Sequence, residues 1–550
     1  MKKRVLIFVF TLALISLSAQ IPDWQWADAA GSDNDDNGNA IALDASGNIY
    51  VIGSFFSTVD FGSHSITSNG WLDIFVAKMN SSGEWQWALN AGSGNNDEGY
   101  DIAVDSDGNV YITGYFMETA SFGSNSISAA GWSDIFVAKL DTDGNWLWVS
   151  NAGSGSNSYD DVGNSLTVDN SGDVCVTGTF SDTANFGSSS ITSYGDLDIF
   201  AAKISSSGSW QWASVAGGVG FDLGMAITAD VNGNSYVTGS FCETATFGTN
   251  TLENPDLLDD IFVAKLDASG TWQWASDAGG VSSGDTGNGI AVDENGNCYV
   301  TGNFQAGATF GNHTIPTNGS HDIFVAKIDN SGTWQWAVNG GGDIGDIGRD
   351  IAIDASGASF VIGSFYGDSA TFGSYTLTGA GYHDIVVGKV DSDGNWEWVV
   401  SAGGSAQWDK DIGRGIALDS GFDSYITGNF AGTANFGSIQ LTSNGQEDIF
   451  VAEINSNLPN GNNLIPPKFN ITNYPNPFNP QTTIEFSVTQ TSPFAKLEIF
   501  NLKGQVIHTQ EFSSGNHSYV WNASDQASGI YFYKISSGDF SETKKMILMK

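Results

Sequence analysis

The chain has 550 residues and carries 19 Lys and Arg against 61 Asp and Glu, a formal net charge of −42. Nucleic-acid binding needs clustered Lys and Arg that neutralise phosphates, so this charge excludes a nucleic-acid-binding protein. Aromatic residues make up 12% of the chain and hydrophobic residues 41%, which is enough to build a folded core despite 69 glycines.

The first predicted element is a secretory signal peptide over residues 1–19. Basic residues at positions 2–4 precede an apolar run that ends near Leu17, and the small residues Ser18 and Ala19 follow. The apolar run is too short to span a bilayer as a mature helix. We therefore expect cleavage after Ala19, a mature chain outside the cytoplasm and no transmembrane segment.

A repeat of 61 to 64 residues then occurs seven times along the chain. Its landmarks are a Trp-x-Trp pair, a Phe-Gly step and an Asp-Ile-Phe element. The Trp-x-Trp pairs begin at Trp24, Trp85, Trp146, Trp210, Trp272, Trp334 and Trp396. Short runs of Val, Ile, Tyr and Trp, separated by turns rich in Asp and Gly, predict four strands in each repeat. Four-stranded units that cannot bury both faces alone indicate the blades of a β-propeller.

The ends of the repeat region predict how the propeller closes. The chain begins with a fourth strand at residues 23–30, whereas the last repeat ends with a third strand at residues 448–455. If the N-terminal strand completes the last blade, every predicted strand is used and no sheet edge is left over. The sequence therefore predicts an all-β fold with seven blades over residues 20–457.

These repeats resemble the SBBP repeats, a β-propeller family of exported bacterial proteins. The matching stretches are GIAVDENGNCYVTG from Gly289 and DIFVAKLD from Asp260. The resemblance implies a seven-bladed β-propeller. It implies no particular activity, because propellers carry many unrelated functions.

The C-terminal part of the chain predicts a linker and a second domain. Residues 458–469 contain three prolines and no strand pattern, which is typical of a linker. Residues 470–550 alternate short strands with Pro-Asn turns and predict a small Ig-like β-sandwich.

Three features of residues 470–550 resemble the type A C-terminal sorting domain of the type IX secretion system. They are Tyr-Pro-Asn-Pro-Phe from Tyr474, Gly-Ile-Tyr from Gly529 and a Lys-rich last strand. The resemblance implies that residues 470–550 contact the type IX secretion machinery. It also implies passage across the outer membrane, removal of the domain, and display on or release from the cell surface.

One carboxylate per repeat is a candidate ligand for a metal ion. An Asp-x-Gly step precedes each predicted first strand, at Asp36, Asp97, Asp161, Asp222, Asp285, Asp346 and Asp411. The propeller topology predicts that these residues and the Asp of each Asp-Ile-Phe element lie toward one face. Ca²⁺ binds oxygen ligands of this kind. The alternative, which fits the exact repetition better, is that each Asp accepts backbone N–H bonds and holds a turn between blades. No other cofactor is predicted.

Positions that differ between repeats are better candidates for ligand binding than positions that recur. Trp71, Trp132 and Tyr382 stand two residues before the Asp of the Asp-Ile-Phe element or its variant, and His321 and His383 stand one residue before it. Exposed aromatic rings at these positions would suit stacking on sugar rings or on a partner protein. The alternative is that these loop tips fold onto their own blades.

No residue is assigned a catalytic role. The chain has six His, and none stands with Ser or Cys in a nucleophile motif. The sequence therefore favours a secreted or cell-surface protein that binds a polysaccharide or a surface protein without catalysis. Two alternatives stay open: a carbohydrate-active enzyme, either a glycosidase or a lyase, that uses the acidic face, and a structural component of a surface coat.

Overall fold

The computed structural model describes residues 22–169, 171–254, 258–280, 284–405, 410–455, 472–488, 495–512, 515–537 and 540–550. All regular elements in these ranges are β-strands, which confirms the predicted all-β class. The chain divides into two units, Met1–Ser456 and Asn457–Lys550. The predicted signal peptide at 1–19 and the predicted linker at 458–469 lie outside the described residues.

The first unit begins with strand β1 (Asp23–Ala30) and continues as sets of four antiparallel strands that pair in chain order. The first set consists of β2 (Asn37–Leu43), β3 (Ile49–Phe61), β4 (His64–Met79) and β5 (Trp85–Ala91). The second consists of β6 (Glu98–Val104), β7 (Val110–Phe122), β8 (Asn125–Leu140) and β9 (Trp146–Ala152). The third consists of β10 (Val162–Val168), β11 (Val174–Phe180), a hairpin β12 (Thr183–Phe186) and β13 (Ser189–Thr192), β14 (Asp198–Ile204) and β15 (Trp210–Ala216).

The next three sets each contain a separate hairpin between their second and third long strands. The fourth set consists of β16 (Leu223–Ala229), β17 (Ser235–Cys242), hairpin β18 (Thr244–Phe247) and β19 (Asn250–Glu253), β20 (Asp259–Leu266) and β21 (Trp272–Ala278). The fifth consists of β22 (Thr286–Val292), β23 (Cys298–Gln305), hairpin β24 (Ala308–Phe310) and β25 (His313–Ile315), β26 (His321–Ile328) and β27 (Trp334–Gly342). The sixth consists of β28 (Ile347–Ile353), β29 (Ser359–Tyr366), hairpin β30 (Ser369–Phe372) and β31 (Tyr375–Thr378), β32 (His383–Val390) and β33 (Trp396–Gly404).

The last set joins the two ends of the unit. It contains β34 (Ile412–Leu418), β35 (Ser424–Phe436) and β36 (Ile439–Asn455), and its fourth strand is β1. β1 runs antiparallel to β36, with a register from Asp23 opposite Asn455 to Ala30 opposite Ile449. The predicted pairing of the N-terminal strand with the last repeat is therefore present.

The first strands of the sets form an inner ring, by which we mean the succession β2, β6, β10, β16, β22, β28 and β34. Each of these strands contacts the next, and β34 contacts β2. Buried apolar clusters fill the space between neighbouring sets; one cluster combines Ile449 and Val451 of the last set with Ile41 and Phe55 of the first. Each set therefore buries its faces against its neighbours, as expected for units that are not stable alone.

The Trp-x-Trp pairs connect strands within and between sets. The first Trp of each pair packs edge-on against the Phe of the Phe-Gly step in the same set, with ring centroids 4.9 to 5.3 Å apart. The indole N–H of Trp85 reaches back to Asp28 of β1, whereas that of Trp148 reaches forward to the carbonyl of Ser206. In these examples the indoles therefore connect a fourth strand with a neighbouring set, Trp85 with the preceding one and Trp148 with the following one.

The stretch predicted as a link between second and third strands is a paired hairpin. In the second set, β7 and β8 continue beyond the predicted strand ends, and Thr119 pairs with Ser128 after a register shift. Glu118 stands at this shift with φ 51°, a left-handed conformation. The sequence did not predict this hairpin, because the stretch is polar and its bulge interrupts any periodicity of apolar residues.

The second unit consists of two antiparallel sheets. Its strands are β37 (Thr472–Tyr474), β38 (Gln481–Val488), β39 (Ala495–Phe500), β40 (Val506–Phe512), β41 (Gly515–Asn522), β42 (Gly529–Ser537) and β43 (Phe540–Leu548). The sheet orders are β37-β38-β41 and β40-β39-β42-β43. One buried cluster takes Phe486 and Trp521 from the first sheet and Ile499, Tyr533 and Leu548 from the second.

The Tyr-Pro-Asn-Pro-Phe segment packs on the last strand of the second unit. Phe478 is buried and exchanges backbone hydrogen bonds with the end of the chain, through Phe478 N–H to Ile547 O and Met549 N–H to Phe478 O, both at 2.9 Å. The segment and the C-terminus therefore depend on each other for their structure.

Candidate functional site

The connections between sets form one surface of the first unit, which we call the loop face. It comprises the segment from each fourth strand to the next first strand, together with the four or so residues that precede the Asp of each Asp-Ile-Phe element. These two kinds of segment are hydrogen-bonded to each other: Asp97 N–H donates to Leu72 O at 2.8 Å, and Trp132 N–H donates to Ser156 O at 2.9 Å. The two sets of repeated aspartates therefore lie together, as the topology predicted.

The carboxylates of the Asp-x-Gly steps are buried and accept backbone hydrogen bonds through both oxygens. Asp97 Oδ2 accepts from Ser93 N–H at 2.5 Å, and its Oδ1 accepts from Met117 N–H at 2.9 Å. Ser93 belongs to the segment leaving the preceding set, and Met117 stands just before the left-handed residue Glu118. The carboxylate therefore connects two neighbouring sets and stabilises the bulge that begins the hairpin.

The same pair of hydrogen bonds recurs at every one of these aspartates, with distances from 2.5 to 3.1 Å. The carboxylates are those of Asp36, Asp97, Asp161, Asp222, Asp285, Asp346 and Asp411. Among the residues that the structure describes, no group of three or more His, Cys, Asp or Glu is arranged to hold a metal ion.

A second buried carboxylate, that of Asp73 in an Asp-Ile-Phe element, stands beside the carboxylate of Asp97. A Cβ added to Gly92 would lie 2.8 Å from Asp73 Oδ1 and 2.9 Å from Asp97 Oδ2, so both oxygens converge on this glycine. Asp73 Oδ2 accepts from Asn69 N–H at 2.6 Å, whereas its Oδ1 is buried without a hydrogen-bond partner. Because both carboxylates are desolvated and their negative charges repel each other, uptake of a proton by one of them is favoured.

The pKa values of these carboxyls are raised, with burial as the largest cause. Burial raises the pKa of Asp73 to about 7 and that of Asp97 to about 6, and the neighbouring charge of Asp97 contributes to the shift of Asp73. The pKa is also raised to about 6 in Asp36, Asp134 and Asp346 and to about 7 in Asp222. These groups therefore titrate between pH 5 and pH 8.

We expect the protein to be less stable at pH 8 than at pH 5. A carboxyl whose pKa is raised by folding contributes a stability that is complete below about pH 4 and is lost as the pH rises through 6 to 7. A rise of two pKa units corresponds to about 3 kcal/mol for one isolated group. Melting curves at pH 5, 6, 7 and 8, followed by circular dichroism, should show a steady decrease of Tm.

Asp73→Asn tests this assignment. The amide can donate a hydrogen bond toward Asp97 without carrying a charge, so this variant should lose less stability between pH 5 and pH 8 than the wild type. Asp60→Asn, at an exposed position of β3, is the matched control and should follow the wild type. An unchanged Tm across this pH range would contradict the expectation.

The five residues predicted to bind a ligand lie in two separate parts of the loop face. Trp71 and Trp132 are 69% and 57% exposed and stand in β4 and β8 of the first and second sets. His321 and His383 are the first residues of β26 and β32, and Tyr382 immediately precedes β32 in the sixth set. The structure therefore does not bring all five into one patch.

Burial distinguishes the three residues of the second group. Tyr382 is exposed, whereas His383 is buried beneath Tyr366, with ring centroids 3.6 Å apart. His321 is partly buried, and its Nδ1 lies 3.1 Å from Ser320 Oγ. His383 therefore supports the exposed tyrosine rather than presenting its own ring to solvent.

Further exposed apolar side chains on the loop face were not among the residues predicted to bind a ligand. They are Tyr194, Val219, Phe221, Leu258 and Ile344. Phe221 packs edge-on against Tyr159 from the preceding connection, with ring centroids 5.6 Å apart. Most of these residues stand in connections of unequal length, where alignment of the repeats is least informative. Their apolar character in otherwise polar loops was the available signal.

Family models match both parts of the chain. Residues 86–115 and 273–303 match the model described as a β-propeller repeat, and residues 472–549 match the model described as a secretion system C-terminal sorting domain. No helix among the described residues is long and apolar enough to cross a membrane.

Individual relatives are more distant. An uncharacterized WD repeat-containing protein of Acanthamoeba polyphaga mimivirus is 27% identical over 232 residues, which are 36% of this chain and 16% of that protein. The chain thus spans about a sixth of the length of this relative.

Two solved structures show weak similarity. A protein of unknown function from Bacteroides caccae has a TM-score of 0.31 at 12% identity, covering 58% of this chain and 92% of that one. Dimeric latent PorU from Porphyromonas gingivalis has a TM-score of 0.15 at 8% identity, covering 96% of this chain and 34% of that one.

The sorting-domain match includes Tyr474 and Gly529, and the repeat match at 273–303 includes the stretch from Gly289, whereas DIFVAKLD from Asp260 lies outside the matched ranges. The predicted type IX sorting domain and the predicted SBBP repeats are confirmed. The chain therefore carries SBBP β-propeller repeats followed by a type IX secretion system C-terminal sorting domain, which directs the protein to the cell surface or the extracellular space.

Proposed function

We propose that the seven four-stranded sets are the blades of a closed seven-bladed β-propeller and that the second unit is an Ig-like β-sandwich. The pairing of β1 with β36 and the contact of β34 with β2 support closure. The buried cluster shared by the two C-terminal sheets supports a sandwich.

We propose that the propeller is a non-catalytic binding protein and that its loop face contacts the ligand. The observation that carries this proposal is the position of its exposed large apolar residues. Of the ten such residues in the described part of the first unit, eight lie on the loop face, and the other two are Leu147 and Val231. A concentration of exposed apolar side chains on one surface is typical of an interaction site.

The repeated carboxylates support binding rather than hydrolysis. Glycosidase chemistry requires two carboxyl groups that face a substrate from opposite sides of a glycosidic bond. Asp73 and Asp97 instead are fully buried and are held by backbone N–H groups. We propose that these aspartates hold the junctions between blades and need no Ca²⁺.

Melting curves at pH 8 with Ca²⁺ and with a chelator test that role. Because the Asp-x-Gly carboxylates already accept two backbone hydrogen bonds each, Tm is expected to be the same under both conditions. An ion that binds the folded protein would instead add about 2.7 kcal/mol at a hundredfold excess over its Kd. A rise of Tm with Ca²⁺ that Asp97→Asn abolishes would favour the alternative calcium site.

The ligand class that we propose is a polysaccharide of the cell surface or its surroundings. Exposed aromatic rings such as Trp71, Trp132 and Tyr194 provide flat apolar surfaces for the apolar faces of sugar rings. The acidic character of the chain, with a net charge of −42, favours neutral over polyanionic glycans at this face.

The binding experiment is a glycan array with the chain from residue 20 onward, followed by titration of any hit. Trp71→Ala combined with Trp132→Ala should weaken binding at least tenfold, because each exposed ring contributes contact area. Leu147→Ala, an exposed apolar residue of β9 away from the loop face, is the matched control.

Analysis of the bound glycan separates the alternatives. Recovery of intact glycan supports binding without catalysis, whereas shortened products would contradict the proposal in favour of a carbohydrate-active enzyme. Absence of binding to any glycan would contradict the proposed ligand class and favour a structural coat component.

A further inference from the structure

The basic residues of the first unit fall into two groups. Six lysines recur at one repeat position, Lys78, Lys139, Lys203, Lys265, Lys327 and Lys389. The remaining basic residues between positions 20 and 457 are Arg349, Lys410 and Arg414, and the only other arginine of the chain is Arg4. Arg349, Lys410 and Arg414 belong to the sixth and seventh sets or to the connection between them. The sequence therefore places its non-repeated positive charges in one part of the molecule.

Arg349 and Arg414 occupy the third position of β28 and of β34 in the inner ring. In three other strands of the inner ring this position holds an asparagine that donates to the next first strand, whereas β6 and β16 hold Tyr100 and Met225 there. The bonds are Asn39 to Gly99 O, Asn164 to Gly224 O and Asn288 to Gly348 O, at 2.8 to 2.9 Å. Side chains at this position therefore lie between adjacent first strands, and the two arginines are neighbours there.

The two arginines differ in their partners. Arg414 donates from Nε to Asn429 Oδ1 at 2.7 Å and from Nη2 to Asn37 Oδ1 at 3.2 Å. Arg349 Nε is shielded from solvent and, within the described part of the chain, has no hydrogen-bond acceptor. Burial and the nearby charge of Arg414 lower the pKa of Arg349 to about 10.

His383 and Lys410 complete the surroundings of Arg349. Nδ1 of His383 is also buried without a partner among the described residues, and burial together with the charges of Lys410 and Arg349 lowers the pKa of this histidine to about 4. Lys410 Nζ lies 3.2 Å from Glu447 Oε1, so its charge is partly balanced. The positive charge of Arg349 has no such counterpart in the described residues.

We propose that Arg349, which lies beside Arg414, binds an oxyanion group, a carboxylate or a sulfate, at the inner ring between the sixth and seventh sets. A desolvated cation is costly unless it is paired, and a guanidinium donates two parallel hydrogen bonds to such a group. Although its Nε is buried, Arg349 as a whole is partly exposed to solvent, so solutes can reach it. This site does not depend on the loop-face ligand.

The experiment titrates the chain from residue 20 onward with sodium sulfate and, in a separate arm, with sodium acetate. Both are compared with sodium chloride at equal ionic strength, and binding is followed by Tm and by isothermal titration calorimetry. We expect saturable binding of at least one oxyanion that Arg349→Gln weakens at least tenfold. Comparison of the two arms identifies whether the site prefers a tetrahedral oxyanion or a planar one. Lys327→Gln, at a repeated lysine, is the matched control and should bind as the wild type does.

Two outcomes would overturn the site. Sulfate also stabilises proteins by exclusion from their surface, which gives a rise of Tm that does not saturate. A rise of this kind, equal in the wild type and in Arg349→Gln, would contradict specific binding, as would absence of heat in both calorimetric arms. If Arg349→Gln fails to fold, Arg349→Lys keeps the charge without the guanidinium fork and should still weaken binding at least tenfold.

Discussion

Deleting β1, residues Asp23–Ala30, is expected to lower the Tm of the protein by about 5 °C or more and to promote aggregation. The deletion removes the backbone pairing of β1 with β36 from Asp23 opposite Asn455 to Ala30 opposite Ile449. It leaves β36 as a long unpaired edge strand. It also removes Trp24, which is 7% exposed and packs on Phe436.

Point variants separate strand pairing from side-chain packing. Trp24→Ala should cost about 3 to 5 kcal/mol, because it removes a large buried ring. Gln25→Ala, at an exposed position of the same strand, should leave Tm nearly unchanged. A synthetic peptide of residues 22–31 added to the shortened chain should restore part of the lost stability by strand addition. An unchanged Tm after the deletion would refute closure by β1.

Removal of residues 470–550 is expected to abolish delivery of the protein to the cell surface or medium of its native cells. These residues include the matched sorting domain at 472–549. Immunoblotting of cell fractions would show the shortened chain retained inside the outer membrane. Met546→Asp, which puts a charge into the buried cluster of the second unit, should have the same effect, whereas Met549→Ser at an exposed position should not.

Mass spectrometry of the delivered protein defines the mature ends. We expect an N-terminus near Gln20 and a C-terminus close to the linker after Leu458. Recovery only of chains that retain Lys550 would contradict removal of the sorting domain. Normal delivery of the chain that lacks residues 470–550 would contradict sorting itself.

The local elements were predictable because their causes are local. Alternating apolar residues and Gly-containing turns specify strands such as β6 and β9 through contacts within about ten residues. The recurrence of these elements every 61 to 64 residues indicated the architecture. The hairpin after Glu118 was missed, because its bulge depends on a carboxylate from Asp97, which precedes it by 21 positions.

The candidate binding residues were predicted less completely. The difference between repeats drew attention to Trp71 and Trp132, which are indeed exposed. The same reasoning placed His383 among ligand-binding candidates, although packing against Tyr366 buries it. The burial of His383 depends on Tyr366, its cross-strand partner in β29 of the same set, and on how the two rings pack, which the comparison of repeats does not show.

The sequence by itself determined the four long strands of each repeat, the presence of a sorting domain and the export of the protein, since these follow from short motifs and their spacing. Only the tertiary structure decided which individual side chains meet across repeats. It placed Asp73 beside Asp97 and Arg349 beside Arg414, residues that are 24 and 65 positions apart along the chain. The physical reason is that burial and charge depend on neighbours in space, and the inner ring and blade junctions bring together residues that no local pattern relates.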